Sequence, residues 1–71
     1  MEMTPVTSSD LASVGYDYDN AILHVQFIKG GLYEYTGIPS DVYEGLMSAG
    51  SKGQYFNTFI KKGSCPYSKI G

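Results

Sequence analysis

Between Ala12 and Tyr35 apolar and polar residues alternate, and that period of two restricts the possible folds more than any other feature of the chain. Ala12, Val14, Tyr16 and Tyr18 fall on one side of a strand; Ser13, Gly15 and Asp17 fall on the other. Residues 21–28 alternate again, with Ala21, Leu23, Val25 and Phe27 on one side and Ile22, His24, Gln26 and Ile28 on the other. Asp19-Asn20 lies between the two runs, and both residue types tolerate the left-handed backbone of a tight hairpin. A two-residue loop there pairs Tyr18 with Ala21, Tyr16 with Leu23 and Val14 with Val25. A slip of one residue would turn that apolar set outward. Lys29-Gly30-Gly31 predicts the next turn, before a third strand at Leu32–Thr36. A two-residue Gly-Gly loop would place Glu34 in the core opposite Phe27, a costly position for an unpaired carboxylate. A three-residue loop with a glycine bulge pairs Phe27 with Tyr33 and Val25 with Tyr35, and leaves Glu34 facing Gln26 in solvent.

After Gly37 the spacing becomes helical. Ile38-Pro39-Ser40-Asp41 reads as a helix start, with proline near the first turn and an acid near the positive end of the helix dipole. Val42, Tyr43, Leu46, Met47 and Ala49 form an apolar stripe, and Gly50 ends it. Ser51-Lys52-Gly53-Gln54 is a capping-box pattern opening a second helix with Phe56, Phe59 and Ile60 on its apolar face. Lys61 and Lys62 sit at that helix's negative end, and Gly63 stops it. Pro66 keeps the tail extended, with Tyr67 and Ile70 packing back on the body. The expected fold is α+β: a three-stranded antiparallel β-meander packed on two short C-terminal α-helices, in the order β-β-β-α-α. Residues 1–10 read as a flexible arm and 11–71 as a single domain. The expected core is Val14, Tyr16, Leu23, Val25, Phe27, Tyr33, Tyr35, Ile38, Val42, Leu46, Phe56, Phe59 and Ile60.

A chain of 71 residues buries only about 60% of the surface it exposes when unfolded, so its stability must come from tight packing, cross-links or association. Cys65 is its one cysteine, which excludes an internal disulfide and suits a reducing compartment. With His24 it falls short of the four ligands of a structural zinc. No metal and no cofactor is expected. The N-terminus lacks the charge and apolar run of a signal peptide, and no apolar run reaches the roughly 18 residues of a membrane helix. A cytoplasmic location is the expectation. Charge is uneven. Residues 1–50 hold all seven acids and one lysine; residues 51–71 hold Lys52, Lys61, Lys62 and Lys69 and no acid. Such a division marks an acidic body with a basic face, although short chains also scatter charge unevenly.

The order and spacing of several short motifs resemble the KTSC domain. They are Val14-Gly15-Tyr16-Asp17, Tyr33-Glu34-Tyr35, Gly37-Ile38-Pro39, Val42-Tyr43 with Leu46, Ala49-Gly50-Ser51-Lys52-Gly53, and Tyr55-Phe56-Asn57 with Ile60. The resemblance extends over roughly residues 6–70. That family is named for its place at the C-terminus of some lysyl-tRNA synthetases, and it also occurs as short stand-alone bacterial and phage proteins. The resemblance implies a small accessory domain with RNA as the suggested ligand. Where members often carry a basic residue after the position of Ile60, Lys61 and Lys62 keep the charge without arginine's planar group.

Candidate binding residues follow from these readings. Lys52, Lys61, Lys62 and Lys69 are available to phosphates, Tyr55 and Tyr67 to bases by stacking, and Asn57 belongs to the same segment. Ser51, Lys52 and Gly53 precede a helix start, where free N–H groups favour an anion; the simpler reading is a connector between helices. Tyr33 and Tyr35 could stack bases from a sheet surface, but the register above puts them in the core. On the outer sheet face Ile22, His24, Gln26, Ile28 and Leu32 form a patch suited to a homodimer or another protein partner. His24 reads as a solvent-facing strand residue, and Cys65 as an inert tail residue. No catalytic residue is expected. Two functions stand: a non-catalytic module binding RNA or another polyanion through a basic C-terminal face, or a homo-oligomeric interaction or sequestering module such as a phage-encoded inhibitor.

Overall fold

The computed structural model describes residues 2–63 and 66–71, so the reading of Cys65 falls outside the described residues. The chain runs through β1 (Thr4–Pro5), β2 (Leu11–Asp17), β3 (Ile22–Phe27), β4 (Leu32–Tyr35), α1 (Ser40–Ser48), α2 (Lys52–Tyr55), a π-helical segment (Phe56–Lys61) and β5 (Tyr67–Lys69). The strands form one antiparallel sheet in the order β1-β2-β3-β4-β5. The α+β class is as expected, but the sheet has five strands and not three. Both additions are short edge strands. Thr4 pairs with Val14 in the segment expected to be a loose arm. The tail pairs Tyr67 with Tyr35 and Lys69 with Tyr33. Neither was legible as a strand, because two or three residues are too few to show a period.

The β2–β3 register is the expected one, with Val14 opposite Val25 and Tyr16 opposite Leu23. Its loop is built differently. The Asp17 carboxylate accepts from the backbone N–H groups of Asp19 (3.0 Å) and Asn20 (3.2 Å) and from the Asn20 side-chain amide (2.8 Å). With the turn held from its first residue, the left-handed position falls on Ala21 (φ 55°) and not on Asp19 or Asn20. In the next hairpin the observed pairs are Val25 with Tyr33 and Leu23 with Tyr35, two residues from the expected register. The Phe27 N–H bonds to the Gly31 carbonyl (3.1 Å) and the Gly30 N–H to the Phe27 carbonyl (3.0 Å), so the loop is Ile28-Lys29-Gly30, one residue earlier. Gly30 takes the positive φ (108°) that such a bulged turn needs. A two-residue shift preserves the faces, so Tyr33 and Tyr35 still point toward the helices. Glu34 now lies opposite His24, not Gln26.

The core lies between the inner sheet face and the helices. Leu11, Val14, Leu23, Val25, Tyr35, Ile38, Leu46, Phe56 and Ile60 are buried, with Tyr16, Phe27, Tyr33, Val42 and Tyr43 half-buried around them. Leu11 was not expected there. A bulge between Leu11 and Ser13 breaks the alternation, so Leu11 points inward in place of Ala12. Phe59 was expected in the core but is 57% exposed. The cause is the π-helical winding, seen in the bond from the Lys62 N–H to the Asn57 carbonyl (3.2 Å). In that wider turn Ile60, four residues after Phe56, stays in line with it, while Phe59, three residues after, swings out. The Phe59 ring lies against Tyr55 instead, 4.5 Å between centroids. Ser51 caps α2 as expected, its hydroxyl accepting from the Gln54 N–H (3.4 Å).

Leu11→Ala is expected to destabilise the fold by about 2–5 kcal/mol, as for other buried leucines. Phe59→Ala should change it by no more than about 1 kcal/mol, as at other exposed positions. Urea titration of the two variants checks this, and equal losses would contradict the winding argument. The Asp17 turn predicts a pH effect. The Asn20 side-chain amide, chiefly, and then the backbone N–H groups of Asn20 and Asp19 hold the Asp17 carboxyl below its usual range, against the opposing effect of burial. A depressed folded value means stability present above the unfolded value and lost as pH falls through the folded one. Asp17→Ala should therefore lower Tm at neutral pH, with the gap to the parent closing on acidification. A gap independent of pH would contradict this assignment.

Candidate functional site

Five aromatic rings run from the core to the surface at one end of the inner sheet face. Phe56 meets Phe27 edge-on (5.5 Å between centroids) and Tyr35 edge-on (5.3 Å). Phe27 meets Tyr33 edge-on (5.3 Å). Tyr67 stacks on Tyr35 (5.4 Å, planes 26° apart) and leans toward Tyr33 (6.2 Å). Strand pairing explains the order: Tyr35 faces Tyr67 across β4–β5, and residues two apart share a face. Exposure rises along the series, from Phe56 at 1% through Tyr35 at 4% to Tyr67 at 64%.

These rings wall an open cleft of about 660 Å³. Its remaining boundary is polar: Asn57 and Lys61 from the π-helical segment, Lys29 and Gly30 from the β3–β4 turn, Asp10, and Gly53 of α2. The π winding matters here, because inserted π turns are common where a helix serves a site. Asp10 is anchored through its backbone. Its N–H donates to the Ser8 hydroxyl (3.2 Å), and its carbonyl accepts from the Ile28 N–H (2.9 Å). Its carboxylate lies beside Gly53, so close that a Cβ there would sit 3.1 Å from Oδ2. Among the described residues that carboxylate accepts no hydrogen bond. The cleft therefore offers an aromatic wall, two ammonium groups, one amide and one carboxylate acceptor.

Of the candidate RNA-binding residues, Asn57, Lys61 and Tyr67 are brought together in this cleft. Lys69 stands beside it, opposite Tyr33, with its Cε 3.5 Å from where a Cβ on Gly31 would lie. Lys62 is exposed but outside the lining. Lys52 and Tyr55 are turned elsewhere: the Lys52 ammonium donates to the Ala49 carbonyl (3.2 Å), and the Tyr55 hydroxyl fills the space over Gly45. The anion-binding segment is committed locally, with Ser51 capping its own helix and the Asp10 carboxylate lying against Gly53. Sequence reasoning missed Asp10, Lys29 and Gly30 as cleft residues. Lys29 carried a signal, a cation in a Gly-Gly turn; Asp10, in a polar segment without periodicity, carried none. Of Tyr33 and Tyr35, read as core, Tyr35 is buried and Tyr33 half-buried, and both form part of the wall.

The outer sheet face is separate. Ile22, His24, Gln26 and Leu32 lie on it half-buried, while Ile28 is in the turn and 56% exposed. His24 Nε2 is 3.0 Å from Glu34 Oε2, a cross-strand pair. Ile70, 47% exposed, lies beside Leu32, its N–H donating to the Leu32 carbonyl (2.8 Å). At the end opposite the cleft, Tyr16 stacks on Tyr43 (4.6 Å) with Tyr18 edge-on to both, and the Tyr16 hydroxyl donates to the Ile38 carbonyl. Burial first, and then the neighbouring Tyr18, Asp17, Asp41 and Glu44, pushes the Tyr16 hydroxyl above its usual pKa. Among the described residues no cluster of three or more His, Cys, Asp or Glu could hold a metal ion, and no helix is long and apolar enough to cross a membrane.

The KTSC domain family model matches residues 7–63. The chain is 39% identical to an uncharacterized protein of Stutzerimonas stutzeri, over 99% of both chains. It is 42% identical over 53 residues to a lysine–tRNA ligase of Nostoc punctiforme, covering 75% of this chain and 9% of the ligase. Its fold is similar to the crystal structure of a KTSC domain protein from Yersinia pestis, with a TM-score of 0.93 and 44% identity, over 99% of this chain and 97% of that one.

Proposed function

The chain belongs to the KTSC domain family, and from that premise we propose that it is a non-catalytic, cytoplasmic module that binds single-stranded RNA in the aromatic cleft. The observation that carries the proposal is the position of Tyr67. Its ring is mostly exposed, rests on Tyr35, and opens onto the cleft that Lys29 and Lys61 also line. A stacking platform beside cations is the arrangement that takes an unpaired base and its phosphates. Lysine–tRNA ligases that carry a similar segment act on an RNA, which supports that choice of polyanion. Base stacking contributes about 1–3 kcal/mol per base. Two lysine–phosphate contacts on a single strand give a salt slope of about −1.4 in log K against log salt. The module is therefore a weak, salt-sensitive binder. Anisotropy titration of a labelled mixed-sequence RNA should show binding at low salt and that shallow slope. Tyr67→Ala and Lys61→Glu should each weaken it at least fivefold with little change in Tm, since both side chains are exposed. Absence of binding at low salt, or affinity indifferent to salt, would defeat the proposal.

A second reading, self-association through the outer sheet face, is favoured by Ile22, Leu32 and Ile70, which none of the helices covers. Sedimentation should then show a dimer that Ile22→Asp dissociates. A monomer at high concentration, unchanged by that substitution, would remove it.

A further inference from the structure

We propose that the cleft selects guanine, with the Asp10 carboxylate reading the base. The inference rests on the single-stranded RNA reading above and gives that ligand a preferred base. A carboxylate is an acceptor-only group that can take two parallel N–H donors. Asp10 presents one to the cleft, with no donor to it among the described residues, on a backbone fixed by Ser8 and Ile28. Gly53 leaves the space in which that carboxylate lies. The rim decides what kind of donor can approach. Lys29 and Lys61 disfavour a cationic side chain and favour a ligand with an anionic tail. The aromatic wall favours a flat ring.

A neutral flat ring with two adjacent N–H donors and a phosphate attached describes guanosine nucleotides. The guanine Watson–Crick edge carries N1–H and the N2 amino group side by side. Adenine and cytosine each set a ring-nitrogen acceptor beside their amino group, and uracil flanks its one N–H with carbonyls. Against a carboxylate each of those edges presents at least one acceptor, so lone pairs oppose lone pairs. Sites built to bond a donor discriminate strongly against a ligand that lacks it, because the buried partner is left unpaired. Here Asp10 is exposed, so the discrimination is of the modest kind.

The test uses uridine hexamers in which one internal position is guanosine, inosine, adenosine or cytidine, titrated by anisotropy at low salt. Guanosine should bind at least tenfold tighter than adenosine or cytidine. Inosine, which keeps N1–H and lacks the amino group, should fall between. Asp10→Asn should abolish the guanosine advantage while retaining the adenosine affinity, and an unchanged melting curve verifies its fold. If all hexamers bind alike, the guanine inference is overturned and the RNA reading stands. If guanosine is preferred but Asp10→Asn keeps the preference, Asp10 is not the reader and the inference is also overturned. If no hexamer binds, both readings are overturned.

Discussion

The Phe56 ring ties the helical layer to the sheet. It is almost fully buried, edge-on to Phe27 of β3 and to Tyr35 of β4. Aromatic pairs of this geometry contribute about 0.5–1.5 kcal/mol beyond the area they bury, and Phe56 makes two of them. In a domain this small that is a large share of the margin. The same contact sets the back wall of the cleft. Ile60, on the next turn of the same segment, is buried in the same core, and Asn57 and Lys61, each directly following one of these two anchors, are held at the cleft as a consequence. Stability and the candidate site are thus produced by one turn of helix.

That turn is π-wound, and its winding resolves a conflict in the sequence. Phe56, Phe59 and Ile60 at α spacing would all press on the sheet. There is room for two, because Phe27, Tyr33 and Tyr35 already project large rings from the same face. Widening the turn keeps Phe56 and Ile60 inward and sends Phe59 out onto Tyr55. Overpacking a core typically costs 1–3 kcal/mol, enough to make the irregular winding the better solution.

Most of what depends on an unbroken period was legible in the sequence. The three central strands, the inward faces of β3 and β4, the first hairpin's register, the start of both helices and most of the core follow from the alternation of Val14, Tyr16, Leu23 and Val25 and from the spacing of Val42, Leu46, Phe56 and Ile60. What was lost lay in single-residue irregularities: the bulge that turns Leu11 inward, the one-residue displacement of the β3–β4 loop, the π turn at Phe59. Each inserts or shifts one residue, and period counting is blind to a change that restores the period on its far side. The edge strands escaped for a related reason, since Thr4–Pro5 and Tyr67–Lys69 are too short to display any period.

The candidate site was legible only where its residues sit in the C-terminal segment. Asn57, Lys61 and Tyr67 stood out by charge and aromaticity. Their partners Asp10, Lys29 and Gly30 come from the N-terminal half of the chain, and only tertiary structure brings them in. The Ile28 N–H bonds to the Asp10 carbonyl, which draws the start of β2 alongside the β3–β4 turn and so sets an acid and Lys29 at the same cleft. A counted charge therefore misleads. The chain is net acidic and its last 21 residues are basic, yet the cleft mixes both signs, two lysines with one carboxylate. A purely cationic groove attracts any polyanion without discrimination. One fixed acceptor among the cations adds a directional requirement that nonspecific charge attraction cannot satisfy, and that is the physical difference between holding a phosphate backbone and reading what is attached to it.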